Sequence, residues 1–352
     1  MKTQPDPGVV LVSGGAGYIG SHVVLALKSA GFTPVVIDSL VNGNLWASGH
    51  ASAFRRGDIG DAAFVAAVCD EFRPSAALHF AAFIEVGESV RNPSKYFTNN
   101  VDKARIFFDT LAGKGVSRIV FSSTAAVYGE ATDRPLRETD PPRPANPYGQ
   151  SKLRAELYLR TVPGVTSIAL RYFNVAGAAP DAGLGEAHFP ESHLIPRLLL
   201  PLIDAPREVC EALGLSHGFK IYGTDYPTRD GTAIRDYIHV LDLADAHMRA
   251  LRFLRAGGET QIINLGSGSG YSVNEIVQAA RRTLDRPDFH PGVEGRRAGD
   301  TGTLIADSTK AKRLLDWVPG RALEDIIASA AAWHRSPVYQ NTITGKAAAT
   351  QL

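Results

Sequence analysis

The stretch "VVLVSGGAGYIGSH", from Val9 to His22, decides the fold. It opens with a continuous apolar run, and Gly14, Gly17 and Gly20 follow it at a GxxGxxG spacing. Such glycines permit a tight turn between a strand and a helix, and they let the backbone approach a pyrophosphate that the N-terminus of the helix then binds. The stretch therefore predicts a strand, a phosphate-binding turn and a helix in succession.

Apolar runs alternate with helix-length segments as far as about residue 170. The runs are continuous rather than alternating, as expected of parallel strands that helices cover on both faces: "VVLVSG", "TPVVID", "ASAFRRGD", "SAALHFAA", "SRIVFSS" and "TSIALRY". Helix candidates lie at Gly20–Ala30, Asp61–Phe72, Ser94–Gly113 and Pro147–Thr161. This order predicts an α/β fold, a doubly wound parallel Rossmann sheet, over residues 9–175.

The pattern loosens after Ala176, where "VAGAAPDAGLGEAHFPES" is followed by shorter mixed elements. The strand candidates there are "KIYG", "IRDYIHV" and "QIINLG", and the helix candidates are Leu241–Arg255, Ser272–Leu284 and Leu323–His334. We predict a smaller mixed α/β region over residues 176–335 that mainly binds substrate. The end of the chain, "NTITGKAAATQL", shows no usable period, so residues 336–352 are predicted to form a loose tail.

Composition excludes several classes of protein. The 352 residues are 44% hydrophobic and 21% charged, which is typical of a globular chain, and a net charge of +1 without a basic stripe speaks against nucleic acid. Cys69 and Cys210 show no metal-ligand or disulfide spacing, so no metal is predicted. Neither a signal peptide in residues 1–8 nor an apolar run of about 18 to 20 residues is present, so we expect no membrane contact and a cytoplasmic location.

An acidic residue ends the second strand candidate. Asp38 lies 18 residues after Gly20, where a carboxylate suits the two ribose hydroxyls of NAD and would repel the extra phosphate of NADP. The alternative is a solvated loop carboxylate. Together with the glycine turn, Asp38 predicts NAD as the cofactor.

A second motif, "NPYGQSK" from Asn146, places Tyr148 and Lys152 at i and i+4 on one helix face. An ammonium beside the phenol is expected to lower its pKa toward working pH. Ser122 and Thr124 end an earlier strand candidate, at the sheet edge where open α/β folds bind ligands. Taken alone, a tyrosine and a lysine at this spacing usually lie on the exposed surface of a helix. A hydroxyl, a phenol and an ammonium beside a nicotinamide can move a proton while a hydride moves, so Thr124, Tyr148 and Lys152 are the predicted catalytic residues.

Several motifs occur in the order typical of one family: "GGAGYIGSH", "GDI", "HFAAFIEVGES", "NNV", "SSTAAVYG", "YGQSK", "RYFNVAGA", "GTDYPTRDGTAIRDYIHV", "NLGSG" and "RRAGD". On these motifs the chain resembles the extended short-chain dehydrogenases/reductases, and within them the UDP-glucose 4-epimerases, from Val9 to about Trp333. The resemblance implies NAD-dependent interconversion of UDP-glucose and UDP-galactose through a 4-keto sugar. It also implies a homodimer formed through the helices at Ser94–Gly113 and Pro147–Thr161.

The resemblance also assigns residues to the two ligands. For the cofactor it implies Gly14, Gly17, Tyr18, Ile19, Gly20, Asp38, Asp58, Ile59, Phe80, Ala81, Ala82, Asn99, Ser122, Tyr148, Lys152 and Tyr172. For the UDP-sugar it implies Thr124, Tyr148, Phe173, Asn174, His193, Leu194, Tyr222, Arg235, Arg297, Asp300 and Leu304. Arg235 and Arg297 would neutralise the diphosphate, because a planar guanidinium pairs with phosphate oxygens in a forked geometry.

Other functions stay open at this point. A 4,6-dehydratase needs an acidic pair directly after the catalytic threonine, where this chain has Ala125 and Ala126. An epimerase or decarboxylase for another UDP-sugar (UDP-N-acetylglucosamine, UDP-glucuronate or a UDP-pentose) and a non-catalytic NAD-sensing protein are the remaining alternatives. The resemblance implies that Leu304 lies beside the sugar, where its intermediate size would favour UDP-galactose over its N-acetylated analogue. Ile84 stands where some family members carry a lysine near the cofactor.

Overall fold

The computed structural model describes residues 8–129, 134–215, 218–296 and 301–350. Its strands are β1 (Val9–Ser13), β2 (Thr33–Asp38), β3 (Ala53–Arg56), β4 (Ala76–His79), β5 (Arg118–Thr124), β6 (Thr166–Tyr172), β7 (Asn174–Ala176), β8 (Lys220–Tyr222), β9 (Ile234–Arg235), β10 (Tyr237–His239), β11 (Gln261–Leu265), β12 (Tyr271–Ser272), β13 (Gly292–Glu294) and β14 (Thr303–Leu304). Among these strands, seven form one parallel sheet in the order β11-β6-β5-β4-β1-β2-β3.

The helices are α1 (Tyr18–Ser29), α2 (Ala62–Phe72), α3 (Val86–Arg91), α4 (Pro93–Phe97), α5 (Ala104–Gly113), α6 (Pro147–Leu159), α7 (Leu194–Leu202), α8 (Arg207–Ala212), α9 (Val240–Arg255), α10 (Val273–Thr283), α11 (Thr309–Leu315), α12 (Leu323–His334) and α13 (Pro337–Thr350). A π-helical segment, Thr98–Lys103, joins α4 to α5. The helix predicted over Ser94–Gly113 is therefore interrupted by a wider turn, a feature that often accompanies functional sites.

Helices cover both faces of the main sheet. On one face α1, α9 and α11 enclose a core that includes Val24, Leu251 and Leu315. On the other face α2, α5 and α6 enclose a second core that includes Phe108 and Leu159. This confirms the doubly wound α/β fold that the continuous apolar strands predict.

One strand lies in a different sheet from the one expected. "QIINLG" was assigned to the smaller region, but β11 pairs in parallel with β6 and forms an edge of the main sheet. The preceding helix, α9, packs against α1. The apolar run at Ile263 and Leu265 predicts a buried strand correctly, but a run of this kind carries no information about which sheet it joins.

The smaller region begins at the carboxyl edge of the main sheet, since only Phe173 separates β6 from β7. Its strands form short sheets in which β7 pairs with β10, β8 pairs with β13, and β9 lies between β12 and β14. The helices α7, α10 and α12 enclose its core. No helix in the described part of the chain is long and apolar enough to cross a membrane.

The prediction of a loose tail is wrong over Pro337–Thr350, which forms α13. Tyr339 and Ile343 are fully buried, and they pack in one cluster with Trp333 and Val209. Only two large apolar side chains face inward at an i and i+4 spacing, and two positions are too few to give a visible period.

Candidate active site

The glycine turn forms as the spacing predicts. Gly14 has a positive φ of 74°, and a Cβ there would lie 2.5 Å from the backbone nitrogen of Ala81. A Cβ on Gly20 would collide with the carbonyl oxygen of Gly14. Gly17 caps α1 without any side-chain hydrogen bond, and no acidic residue occupies the first turn. The N-terminus of α1 thus keeps its N–H groups and its dipole available for an anion.

Asp38 ends β2 beside this turn. One carboxylate oxygen accepts from the Ala16 N–H at 3.0 Å, and the other accepts from the Leu40 N–H at 2.8 Å. Burial raises the pKa of Asp38, and the two N–H donors act against that rise. A carboxylate offers about four acceptor positions, so two backbone donors leave others for the hydroxyls of a ligand.

Asp58 and Ile59 follow β3, the next strand along the same edge. The Asp58 carboxylate accepts from the Gly60 N–H at 2.8 Å and forms an ion pair with Lys103. Ile59 is buried and packs in the core beneath α2 and α5. The structure therefore places both predicted cofactor residues after β3, the strand that pairs with the one that Asp38 ends.

Two predicted cofactor residues on α1 face different parts of the molecule. Tyr18 donates from its hydroxyl to the Gly177 carbonyl at 2.6 Å, which ties the glycine turn to the start of the smaller region. Ile19 packs against the core on the α1 face of the sheet. A third predicted cofactor residue, Phe80, follows β4, and the centre of its ring lies 4.9 Å from that of His247.

The loop after β4 is held by an asparagine that the sequence analysis did not single out. Asn100 accepts from the Phe83 N–H at 2.9 Å and donates to the Phe83 carbonyl at 3.0 Å. It also donates to the Ser151 hydroxyl on α6 at 3.1 Å. Asn99, the predicted cofactor residue, donates to the Asn100 side chain at 3.0 Å. Asn100 thus fixes the loop that begins at Ala82 against the helix that carries Tyr148.

The structure brings the three predicted catalytic residues together. Thr124 ends β5, and its hydroxyl lies close enough to the phenol of Tyr148 to oppose the rise that burial causes in the pKa of that phenol. Asn146 caps α6 by accepting from the Gly149 N–H at 2.9 Å, and Pro147 occupies the first turn. Tyr148 and Lys152 therefore project from one face of α6, one turn apart.

The electrostatics differ from the expectation that Lys152 lowers the pKa of Tyr148. Burial raises the pKa of Tyr148, the Thr124 hydrogen bond opposes that rise, and the charge of Glu85 adds to it. Burial also lowers the pKa of Lys152 to about 7, against the opposing effect of Glu156. Without bound ligands, the expectation that Lys152 lowers the pKa of Tyr148 is wrong, because the same apolar surroundings disfavour both the phenolate and the ammonium.

A buried network of polar side chains links α6 to β5 and β6, and the sequence analysis did not predict it. Glu156, one turn beyond Lys152, accepts from the Ser123 hydroxyl at 2.8 Å and pairs with Arg171 at 2.5 Å. Arg171 also donates to the Tyr128 hydroxyl at 3.0 Å. The Y-x3-K-x3-E spacing of α6 was the available signal, since it places a third polar residue on the same face.

Predicted residues on β5 and β6 continue the site. The hydroxyls of Ser122 and Tyr172 hydrogen bond to each other across the two strands. Burial raises the pKa of Tyr172, so this phenol stays protonated. Phe173 packs beside the turn that follows Thr124, in one cluster with Val127.

The smaller region contributes residues predicted for the UDP-sugar. Asn174 donates from its side chain to the Asp236 carbonyl at 3.2 Å. Leu304 on β14 is paired with Arg235 on β9, and it packs in the same cluster as Val127. Tyr222 ends β8. Arg297 and Asp300 lie outside the described residues.

His193 and Leu194 stand at the start of α7, where His193 is the N-cap residue. The neighbouring Ser192 donates to the Glu85 carboxylate at 2.8 Å, and Glu85 in turn acts on the pKa of Tyr148. This segment therefore approaches the catalytic helix from the side of the smaller region. The sequence analysis did not assign Glu85, although it stands one residue after Ile84.

Three features of the site fit NAD. The Lys152 side chain is only 3% exposed, and no hydrogen-bond acceptor contacts its ammonium among the described residues. The N-terminus of α1 has no side-chain cap, and Asp38 keeps acceptor positions free. A buried amine without an acceptor is costly unless a ligand oxygen supplies one, and ribose hydroxyls and a pyrophosphate match all three features.

The fold and the site together define a dinucleotide-dependent enzyme built on a doubly wound sheet. The chain belongs to the NAD dependent epimerase/dehydratase family, whose model matches residues 10–266. A UDP-glucose 4-epimerase of Lacticaseibacillus casei is 45% identical over 331 residues, which are 93% of this chain and 97% of that relative.

Solved structures of UDP-glucose 4-epimerases are also similar to this chain. The UDP-glucose 4-epimerase of Brucella ovis in complex with NAD has a TM-score of 0.84 at 41% identity, over 92% of this chain and 97% of that chain. The enzyme of Bifidobacterium longum in complex with NAD+ and UDP has a TM-score of 0.81 at 34% identity, over the same shares of the two chains.

Proposed function

We propose that this protein interconverts UDP-glucose and UDP-galactose with NAD as its cofactor. The observation that carries the proposal is the convergence of Thr124, Tyr148 and Lys152 at the edge that also holds the glycine turn. Ala125 and Ala126 follow the threonine, so no acid is available there for the elimination of water. The UDP-glucose 4-epimerases at about 34 to 45% identity over nearly the whole chain support this function.

The catalytic residues act on the 4-hydroxyl of the sugar. Bound NAD supplies a reversible acceptor for the hydride on C4, and its oxidised ring supplies a positive charge that favours the phenolate of Tyr148. Tyr148 takes the proton of the 4-hydroxyl, and Thr124 hydrogen bonds to the same oxygen. Lys152 would hold the ribose of the cofactor through its ammonium. The 4-keto sugar would then turn over, and Tyr148 would return the proton to the oxygen on C4 as that carbon is reduced on its opposite face.

The UDP moiety is proposed to bind across the smaller region. Asn174 and Arg235 would hold the diphosphate, Tyr222 the uracil, and Leu304 would contact the sugar, while His193 and Leu194 approach it from α7. Arg297 and Asp300 keep the roles that the sequence predicts for them. Contacts to the UDP do not change as the sugar turns, so they retain the intermediate without favouring either product.

We also propose a homodimer in the cytoplasm. The predicted interface involves α5 and α6, which pack side by side. Each carries an exposed large apolar side chain, Ile106 at 38% and Leu157 at 49%. A second copy of the chain would cover both side chains.

Replacement of Tyr148 by Phe tests the function. Wild type should convert UDP-galactose to UDP-glucose without added NAD. Tyr148→Phe should retain NAD and bind UDP, but its kcat should fall by a factor of about 10² or more, the usual contribution of general acid–base catalysis. Tyr158→Phe is the matched control, because Tyr158 lies on the same helix and donates to Asp109 on the surface. A Tyr148→Phe rate close to that of wild type would remove the phenol from the mechanism.

A further inference from the structure

Four side chains with metal-binding atoms converge between β7 and α7. Glu186, His188, Glu191 and His193 follow an E-x-H-x-x-E-x-H spacing, and one ligand atom of each lies within 4.8 Å of the others. The Nδ1 atoms of both histidines lie 2.9 Å from Oε1 of Glu186, and Nδ1 of His193 lies 3.2 Å from Oε1 of Glu191. The proposed reaction uses none of these contacts.

The two carboxylates are buried, and the basic side chains that contact them are the imidazoles of His188 and His193. Glu186 is 4% exposed and Glu191 is 2% exposed. No lysine or arginine among the described residues forms an ion pair with either one, and Oε2 of Glu191 has no hydrogen-bond partner there. Two buried carboxylates are costly unless nearby positive charge and hydrogen bonds compensate them.

A second buried polar group without a hydrogen-bond partner lies on α13. Tyr339 is fully buried, and its hydroxyl has no hydrogen-bond partner among the described residues. Burial raises its pKa, the charges of Glu191 and Glu186 raise it further, and its side chain packs in one cluster with Ala187, which lies between Glu186 and His188 in sequence. Within the described part of the chain, Oε2 of Glu191 and the Tyr339 hydroxyl are thus two buried polar atoms that lack the partner such atoms almost always have.

We propose that Glu186, His188, Glu191 and His193 bind a divalent transition-metal ion, with zinc as the best match. Two carboxylates and two neutral imidazoles balance the charge of +2. Imidazole and carboxylate ligands suit Zn²⁺, whereas Mg²⁺ and Ca²⁺ prefer oxygen ligands alone.

The geometry is compatible with a tetrahedral ion. Zn–N and Zn–O distances of about 2.0 to 2.2 Å place tetrahedral ligand atoms about 3.3 Å apart. The three contacts of 2.9 to 3.2 Å are close to that separation. The remaining pairs of ligand atoms lie within 4.8 Å, so they must shorten by at most about 1.5 Å to reach that separation.

Such a site would be structural. Four protein ligands complete a tetrahedron, so no position is left for substrate. The ion would fix the segment before α7, which carries His193 toward the proposed sugar site. The same segment contacts α13, because the Lys346 ammonium donates to the Ala187 carbonyl at 3.3 Å. An ion that fixes the segment would therefore also help to hold α13 in place. The sequence analysis missed the cluster because it searched for metal ligands only around the cysteines.

The test is zinc binding by the full chain after treatment with a chelator. We expect about one Zn²⁺ per chain with a Kd below about 1 μM, and a rise in Tm of about 4 °C at a hundredfold excess over Kd. Mg²⁺ at the same concentration should produce no such rise. Co²⁺ should bind with the intense visible absorption of a tetrahedral complex.

Variants locate the bound ion. His188→Gln and Glu191→Gln should each weaken zinc binding by at least about 100-fold and abolish the Co²⁺ band. His50→Gln is the control, since His50 lies outside the cluster and contacts the Ala182 carbonyl. A variant that no longer retains NAD is misfolded. In that case the Co²⁺ spectrum of the wild-type protein decides whether the metal site exists.

Two results would overturn the proposal. One is wild-type protein that binds no zinc and gives no tetrahedral Co²⁺ spectrum. The other is zinc affinity that both cluster variants retain in full. The cluster would then be held by a proton on His193, whose pKa burial would lower but the two carboxylates raise.

Discussion

Lys152 combines deep burial with a site that needs its charge. Its amine lies 4.5 Å from the centre of the Phe121 ring, and burial lowers its pKa to about 7. Holding an ammonium there destabilises the chain, and a ligand that accepts its hydrogen bonds removes that cost. The residue is therefore placed for binding rather than for stability.

Replacement of Lys152 by Met should stabilise the NAD-free chain in a pH-dependent way. The pKa of Lys152 falls from 10.5 when unfolded to about 7 when folded, so the penalty is complete below pH 7 and fades as pH rises toward 10.5. The gain in unfolding free energy from Lys152→Met should be about 2 to 3 kcal/mol larger at pH 6 than at pH 9. Urea unfolding at both pH values measures it, and an equal gain at both contradicts the burial argument.

The exposed Lys28 provides the control for this measurement. Its ammonium donates to the Ser52 hydroxyl at the surface. Lys28→Met should change stability by no more than about 0.5 kcal/mol at either pH.

At the scale of elements, the sequence predicts best where one local pattern is sufficient. The strand, glycine turn and helix around Gly14, and the capped helix that carries Tyr148, both depend on neighbouring residues. The strand at Ile263 was placed in the wrong sheet, because sheet partners are distant in sequence. Asn100 was missed for a related reason, since its partners Phe83 and Ser151 are brought to it only by folding.

The C-terminal helix α13 gives a test of packing at this scale. Ile343 is fully buried in the cluster around Trp333, so Ile343→Ala should lower the unfolding free energy by about 2 to 5 kcal/mol. Val338 lies on the same helix but is exposed, and Val338→Ala should change it by no more than about 0.5 kcal/mol. Equal effects in chemical unfolding would mean that α13 does not pack as described.

At the scale of the whole molecule, the two regions are proposed to bind different ligands. The glycine turn and Asp38 lie at the carboxyl edge of the main sheet, Lys152 projects from α6 over Phe121 of β5, and all three are proposed to bind NAD. The smaller region begins at that same edge, and it carries the residues proposed for the UDP moiety. In the proposed reaction the sugar turns over between the NAD site and the diphosphate site.

The proposed dimer predicts the effect of a charge on α6. Leu157→Glu would bury a carboxylate in the interface, so the variant should elute as a monomer at concentrations where wild type is a dimer. Val293→Glu, at an exposed position on β13, is the control and should leave the dimer intact. Light scattering coupled to size exclusion measures both masses. A wild-type monomer, or a Leu157→Glu dimer, contradicts the proposed interface.

The most direct test of the central claim follows the hydrogen on C4. The protein, without added NAD, is given UDP-galactose deuterated at C4 in ordinary water. Because the hydride leaves and returns within one closed site, the UDP-glucose that forms should retain its deuterium at C4, as read by NMR and mass spectrometry. Loss of the deuterium to solvent, or no conversion to UDP-glucose, would contradict epimerisation by reversible oxidation at that carbon.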